Sequence, residues 1–208
     1  MNVDPSHLVH DVERLAAAYG DLSEASIVKE TDHVTEVYRR LIEASPFVVL
    51  ATAGPEGLDA SPRGDRGQVV HIEDERTLIL PDRRGNNRID SLRNVVRDPR
   101  VALLFLIPGS GTTLRVNGTA VISLDPALLS RFTADGKPPR SAMIVSVETI
   151  YFQCARAVIR AGLWDETSKV EPGAIPTPGE ILSACTEGRL DGTAYDREWP
   201  ARAAASMW

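Results

Sequence analysis

The 208-residue sequence predicts an α+β fold, an antiparallel sheet or barrel of about six strands with peripheral helices. Three observations carry this. Short apolar runs rich in β-forming residues follow one another between residues 47 and 152. Brief turn signals separate the first four runs, so neighbours pair antiparallel. The regular strand–helix alternation of a parallel sheet is missing.

The elements read as follows. Leu8, Val12, Leu15, Ala16 and Tyr19 recur at helical spacing after Ser6, a predicted N-cap. Val34, Val37, Tyr38, Leu41 and Ile42 repeat the pattern, with Thr31 or Asp32 as cap. Pro46 ends that helix. Phe47–Thr52 is an apolar strand, Gly54–Gly57 a turn and Leu58–Ser61 the return strand. Gln68–Ile72 and Thr77–Leu80 form the next hairpin. A polar loop, 81–87, leads into a helix with Ile89, Leu92, Val95 and Val96 on one face. Val101–Ile107 is the most apolar strand and is expected in the sheet interior. In Thr112–Ser123, Leu114, Val116, Gly118, Ala120 and Ile122 alternate with Arg115, Asn117 and Thr119, one face buried and one polar. Asp125-Pro126 starts a helix, and Ala142–Phe152 alternates as the final strand. Ala155–Gly162 reads as a short helix. Beyond Glu171, a proline- and glycine-rich tail holds one predicted helix, Gly179–Glu187.

Composition narrows the function. Hydrophobic residues make up 43%, enough for one sizeable core, and the formal charge of -6 argues against general nucleic-acid binding. Cys154 and Cys185 are too few and too far apart for a disulfide framework or zinc site. No apolar run reaches the ~18 residues of a membrane span, and the start lacks a signal-peptide pattern. A cytoplasmic protein is therefore expected. Rossmann, Walker A, H-E-x-x-H and G-x-S-x-G motifs do not occur. His7, His10 and His33 read as surface or helix-start residues. His71 lies in a strand and is the one histidine near the expected core.

Two segments carry chemistry: Ala60-Ser61-Pro62-Arg63-Gly64-Asp65-Arg66-Gly67, and Pro81-Asp82-Arg83-Arg84-Gly85-Asn86-Asn87-Arg88. Both set arginines among glycine and small polar residues at strand ends. A phosphate dianion needs fork-shaped cationic donors and N–H groups in a fixed concavity. Lysine occurs only at 29, 137 and 169, so the cationic groups are almost all guanidinium. The plainer reading is two solvated loops in which Asp65 and Asp82 pair the arginines.

The phrases PFVVLAT, DASPRGD, LILPDRRGNNRIDSLRNVVRDPRVALLFLIPG and LRVNGTAVI resemble the pyridoxamine 5′-phosphate oxidase-like flavoproteins over residues 30–165. The resemblance implies a six-stranded split β-barrel at 31–168, with a helical extension at 1–30 and a C-terminal extension at 169–208. It implies FMN, its phosphate held by Arg63, Arg83 and Arg84 with Ser61, Asn86 and Asn87 as auxiliary donors. It also implies a symmetric homodimer with FMN at the interface. Arg115, Asn117, Arg160 and Trp164 are then candidates for flavin contacts from the second chain, or for plain surface and interface roles. The arginine and histidine with which the true oxidases read their substrate have no match at Arg160–Trp164, so vitamin B6 oxidation is not implied. The expected activity is hydride transfer at flavin N5, with an unidentified small molecule or a reduced nicotinamide or deazaflavin donor as partner. The alternative is a non-catalytic flavin- or haem-binding protein, a store, carrier or sensor, with His71 as the nominee for a haem ligand. Arg83 and Arg84 are expected at the surface.

Overall fold

The computed structural model describes residues 3–207 and divides the chain into two compact units, one ending at Glu30 and the other beginning at Thr31. The first unit holds a 3-10 turn, Pro5–His7, and helices α1 (Val12–Tyr19) and α2 (Glu24–Ile27). Ser6 is not the N-cap of α1. Its N–H is taken by Asp4 in the 3-10 turn, and α1 starts at Asp11, whose carboxylate accepts the Arg14 N–H at 2.7 Å.

The second unit opens with α3 (Glu36–Glu43). Its cap is Thr35, whose hydroxyl accepts from the Tyr38 N–H at 3.3 Å. Neither Thr31 nor Asp32 serves, because Thr31 is drawn into a β-bridge with Ile150. The strands are β1 (Phe47–Gly54), β2 (Gly57–Gly64), β3 (His71–Asp74), β4 (Thr77–Asp82), β5 (Arg100–Leu106), β6 (Thr113–Ser123) and β7 (Ser141–Gln153). All pair antiparallel in one sheet of order β2-β1-β5-β6-β7-β4-β3. The expected six-stranded barrel is thus a seven-stranded, unclosed sheet. Each apolar run pairs on its own, and no ladder joins edge β2 to edge β3 among the described residues.

Alternation places the core. Val48 and Leu50, Leu103 and Phe105, Leu114 and Val116, and Val145 and Val147 point to one side and are buried, with Tyr38 and Ile42 of α3. Helix α4 (Asp90–Arg97) packs on β1. Its buried face is only in part the predicted one. Val95 is buried and Leu92 packs against the core as predicted, but Ser91 and Asn94 share that face while Ile89 and Val96 are exposed, and Asn94 donates to Thr52 Oγ1 at 3.1 Å beside Gly54. Helices α5 (Pro126–Ser130) and α6 (Arg156–Ala161) flank β7 in sequence. The tail forms two helices, α7 (Pro178–Cys185) and α8 (Gly192–Ser206); the second was not legible in its glycine- and proline-containing sequence. Among the described residues no helix is long and apolar enough to cross a membrane.

Prolines mark where the sheet opens. Pro62 lies on edge strand β2, where a missing N–H breaks no interior ladder. Pairing of β3 with β4 ends at His71 opposite Ile79, so Pro81 and Asp82 extend past the end of β3.

The β6–β7 ladder shifts register at Asn117/Gly118. A Cβ at Gly118 would stand 1.9 Å from the Ser146 carbonyl oxygen, which is backbone and has no room to move. Gly118→Ala is expected to destabilise the fold by about 1–3 kcal/mol. A urea midpoint equal to that of the natural sequence would refute this reading of the bulge.

Candidate functional site: an arginine-rimmed cavity

The two arginine segments meet. The ends of β2 and β4, the loop after β4 and the start of α4 enclose a cavity of about 700 Å³. Backbone bonds fix its floor: Asp65 N–H donates to the Pro46 carbonyl at 3.0 Å and Val69 N–H to that of Ser45 at 3.2 Å. Ser61, Arg63, Arg83, Arg84, Asn86 and Asn87 all line it.

The motifs exchange partners across the opening. Arg63 Nε stands 3.8 Å from Asp82 Oδ1, and Arg83 Nε donates to Asp65 Oδ2 at 2.7 Å. Each motif therefore supplies one cation and one anion to the other. Arg63 also donates to Ser91 Oγ at 3.2 Å and to the Pro62 carbonyl at 3.0 Å. Ser91 is 2% exposed and donates to Asp59, which accepts a second bond from Ser61 Oγ at 2.9 Å. Arg83 spans the gap and donates to the Phe132 carbonyl. It is not at the surface: its side chain is 20% exposed and that of Arg63 21%. Arg84, Arg88 and Arg140 are exposed around the same cavity. Asn87 takes a left-handed conformation, φ 63°, which asparagine tolerates, and its Oδ1 accepts from Arg140 at 2.6 Å. Asn86 Oδ1 accepts from the Arg88 N–H at 2.9 Å. With both amide oxygens engaged in the protein, what these residues can offer a ligand is N–H.

Five arginines face four aspartates, 59, 65, 82 and 90, in this lining. Burial pushes the Asp82 carboxyl above its ordinary range, against the pull of Arg63 and Arg140. Helix α4 opens onto the cavity with no side-chain cap, so its first N–H groups add to the anion-favouring rim. His71 stands behind the rim, half-buried against Phe132 with ring centroids 4.8 Å apart. Burial, and then Arg83, lower its pKa. It lines a separate cavity of about 280 Å³ with Arg39 and Arg131.

Four predicted residues lie elsewhere on the chain. Arg115 and Asn117 project from the face of β6 opposite the core, and Arg115 donates to the Tyr151 hydroxyl at 3.0 Å. Arg160 is exposed on α6. Trp164 Nε1 donates to the Ser110 carbonyl at 2.7 Å. Conversely, Asp59, Ser91, Arg140 and Trp199 line or brace the cavity without having been predicted. Ser91 sits just inside a predicted helix start beside the motif, which was a usable signal. Arg140 and Trp199 carried none.

Fold and site together define an open antiparallel sheet carrying an arginine-rimmed cavity at its seam. Residues 34–154, more than half of the chain, match the model of the pyridoxamine 5′-phosphate oxidase family, and the chain belongs to that family. No curated protein sequence matches it. Among solved structures it is similar to HupZ from Group A Streptococcus, at 19% identity and TM-score 0.46, over 56% of this chain and 91% of that one. An FMN-binding protein from Syntrophomonas wolfei aligns at 13% identity and TM-score 0.43, over 68% and 95%. General stress protein 26 from Bacillus anthracis aligns at 19% identity and TM-score 0.40, over 55% and 88%.

The raised pKa of Asp82 has a defined consequence for stability. A carboxyl that ionises less readily when folded favours the fold most below its unfolded pKa of 3.8, and this contribution is lost as pH rises through the folded value. Asp82→Asn is expected to remove that decline, leaving thermal stability at pH 7 equal to or above that of the natural protein. Melting temperatures between pH 4 and 7 check it; a variant with an unchanged slope over that window would show that another group is responsible.

Proposed function

We propose that the protein is an FMN-dependent oxidoreductase of the cytoplasm that acts, as a homodimer, on a small organic molecule. The observation that carries this reading is the convergence of both arginine motifs on one cavity in a chain of this family. The residues present suit a phosphate ester. The cavity falls within the usual 300–1,000 Å³ range of ligand sites. Its rim offers guanidinium forks, amide N–H groups and a helix start, the donor set a phosphate dianion requires.

In this reading Arg63, Arg84 and Arg140 hold the phosphate, Ser61, Asn86 and Asn87 donate from the sides, and Arg83 braces the rim. FMN, when bound, supplies hydride transfer at its N5. The chain supplies grip and orientation. Arg115 and Arg160 of the second subunit are proposed to place positive charge beside the pyrimidine edge of the ring, where it favours electron uptake, with Asn117 and Trp164 as further contacts. Supporting a dimer, the non-core face of the sheet carries a continuous row, Pro62, Val49, Leu104, Arg115 and Tyr151, which are neighbours in register. Phe47 and Leu106 adjoin it. A partly exposed apolar face of this kind is suited to burial against a second copy. Both cysteines are exposed and free, which suits a reducing compartment.

Titrating the purified protein with FMN and with riboflavin, which lacks the phosphate, tests the assignment. FMN is expected to bind far more tightly. Arg84→Ala should weaken FMN by roughly 10–100-fold, the cost of a charge-assisted bond, and leave riboflavin unchanged. Equal affinity for the two flavins would remove the phosphate reading. Bleaching of bound flavin by reduced nicotinamide or deazaflavin, with turnover on an acceptor, separates an enzyme from a carrier.

A further inference from the structure

Helix α8 lies outside the residues that match the family, yet it reaches the cavity through Trp199. The Trp199 side chain is braced. Its ring stacks on Tyr195 with centroids 6.3 Å apart and planes 11° apart. The Arg202 guanidinium sits 4.4 Å from the Tyr195 centroid and 6.0 Å from that of Trp199, and Arg202 donates to the Tyr195 carbonyl at 3.2 Å. Despite this support, Trp199 remains 50% exposed. A half-exposed indole held in place beside an arginine rim does little for core packing. A flat, preorganised aromatic surface does suit a planar ring, because any π-face stacks on it.

We propose that Trp199 forms an aromatic subsite of this cavity, taking the planar ring of a phosphate ester whose anionic end is held by the arginine rim. The ligand class is therefore an aromatic phosphate, FMN itself or a smaller aryl phosphate. The proposal rests on the reading of the rim as a phosphate cradle and extends it to the part of the ligand that the rim does not touch. Charge on the rim selects the phosphate; Trp199 selects what the phosphate is attached to. The residues that grip the anion lie at 61–87 and 140, and the residue that reads the ring lies at 199, on a separate helical hairpin.

The test uses the full chain and three probes: FMN, phenyl phosphate and inorganic phosphate. Trp199→Ala is expected to weaken FMN or phenyl phosphate by about 5- to 100-fold and to leave inorganic phosphate unchanged. Trp199→Phe should retain most of the ring-dependent affinity. Since Trp199 is half-exposed, both variants should keep the melting temperature of the natural protein, and a shared far-ultraviolet spectrum checks this. If phenyl phosphate depends on Trp199 while FMN does not bind at all, the flavin reading falls and the subsite stands. If Trp199→Ala binds the aromatic probes as the natural chain does, or loses inorganic phosphate equally, the subsite is overturned. It is overturned as well if no aromatic probe binds the natural chain more tightly than inorganic phosphate.

Discussion

The exchange of ion pairs between Arg63 and Asp82 and between Asp65 and Arg83 is the constraint on which the site depends. Strands β2 and β4 are not neighbours in the sheet; four strands separate them. Their ends nevertheless stand within ion-pair distance, so the sheet must curl until the seam nearly closes. Burial of the alternating Val, Leu and Phe residues drives that curl. It does not fix the spacing of the seam, since apolar contact is non-directional. The hydrogen-bonded Arg83–Asp65 pair is directional, and together with the longer Arg63–Asp82 contact it sets the separation of the seam. Partly buried pairs of this kind add little net stability. Their role here is positional: arginines held in place before a ligand arrives lose less entropy when they grip it.

The same pairs temper the site. In the proposed reading, an anion that reaches Arg63 meets a guanidinium already paired with Asp82, so binding at that arginine is an exchange and not a simple neutralisation. Asp82 is the weaker holder. Its separation from Arg63 is the longer of the two, and burial disfavours its charge. Asp65 holds Arg83 closely, and Arg83 also bonds the Phe132 carbonyl, tying the rim to the segment after α5. Division of labour follows from the geometry. Arg83 is committed to structure, while Arg63 has only a long contact to give up at Asp82. Ser91, bonded to both Arg63 and Asp59, keeps that guanidinium aimed while its carboxylate partner yields.

Much of this was legible in the sequence because local pattern and tertiary outcome agreed. Strict alternation in β6 names its buried face residue by residue, and the apolar run of β5 takes an interior position. The motif residues at the strand ends were legible for the same reason: once β2 and β4 are strands, their ends can meet. Of the two readings of the arginine segments, the paired loops are seen directly, for Asp65 and Asp82 pair Arg83 and Arg63, and a cavity opens beside those pairs. Long-range consequences escaped. Thr31 and Thr35 are equally good caps locally, and the distant Ile150 decides between them by claiming Thr31. The polar members of the buried face of α4, Ser91 and Asn94, bond Asp59 and Thr52, contacts beyond the reach of hydrophobic period. Arg140 enters the site because β7 pairs with β4, a strand far from it in sequence.

Helix α8 shows why the terminal region was hardest to read. It contains Gly192 and Pro200 and lacks an apolar stripe, so local propensity argues against it. What stabilises it is contact with α7. A Cβ on Gly179 would lie 2.1 Å from the Gly192 carbonyl oxygen, so only glycines permit this approach. Asp196 of α8 then accepts from the Gly179 N–H at 2.8 Å and from the Thr177 hydroxyl at 2.5 Å, closing the start of α7 from outside. These contacts are internal to the hairpin and owe nothing to the core of the sheet. Trp199 takes no part in the ion pairs of the seam, Arg63–Asp82 and Arg83–Asp65. Sheet and hairpin thus contribute different chemistry to one cavity: the first sets its charge geometry, and the second adds the Trp199 indole to its lining.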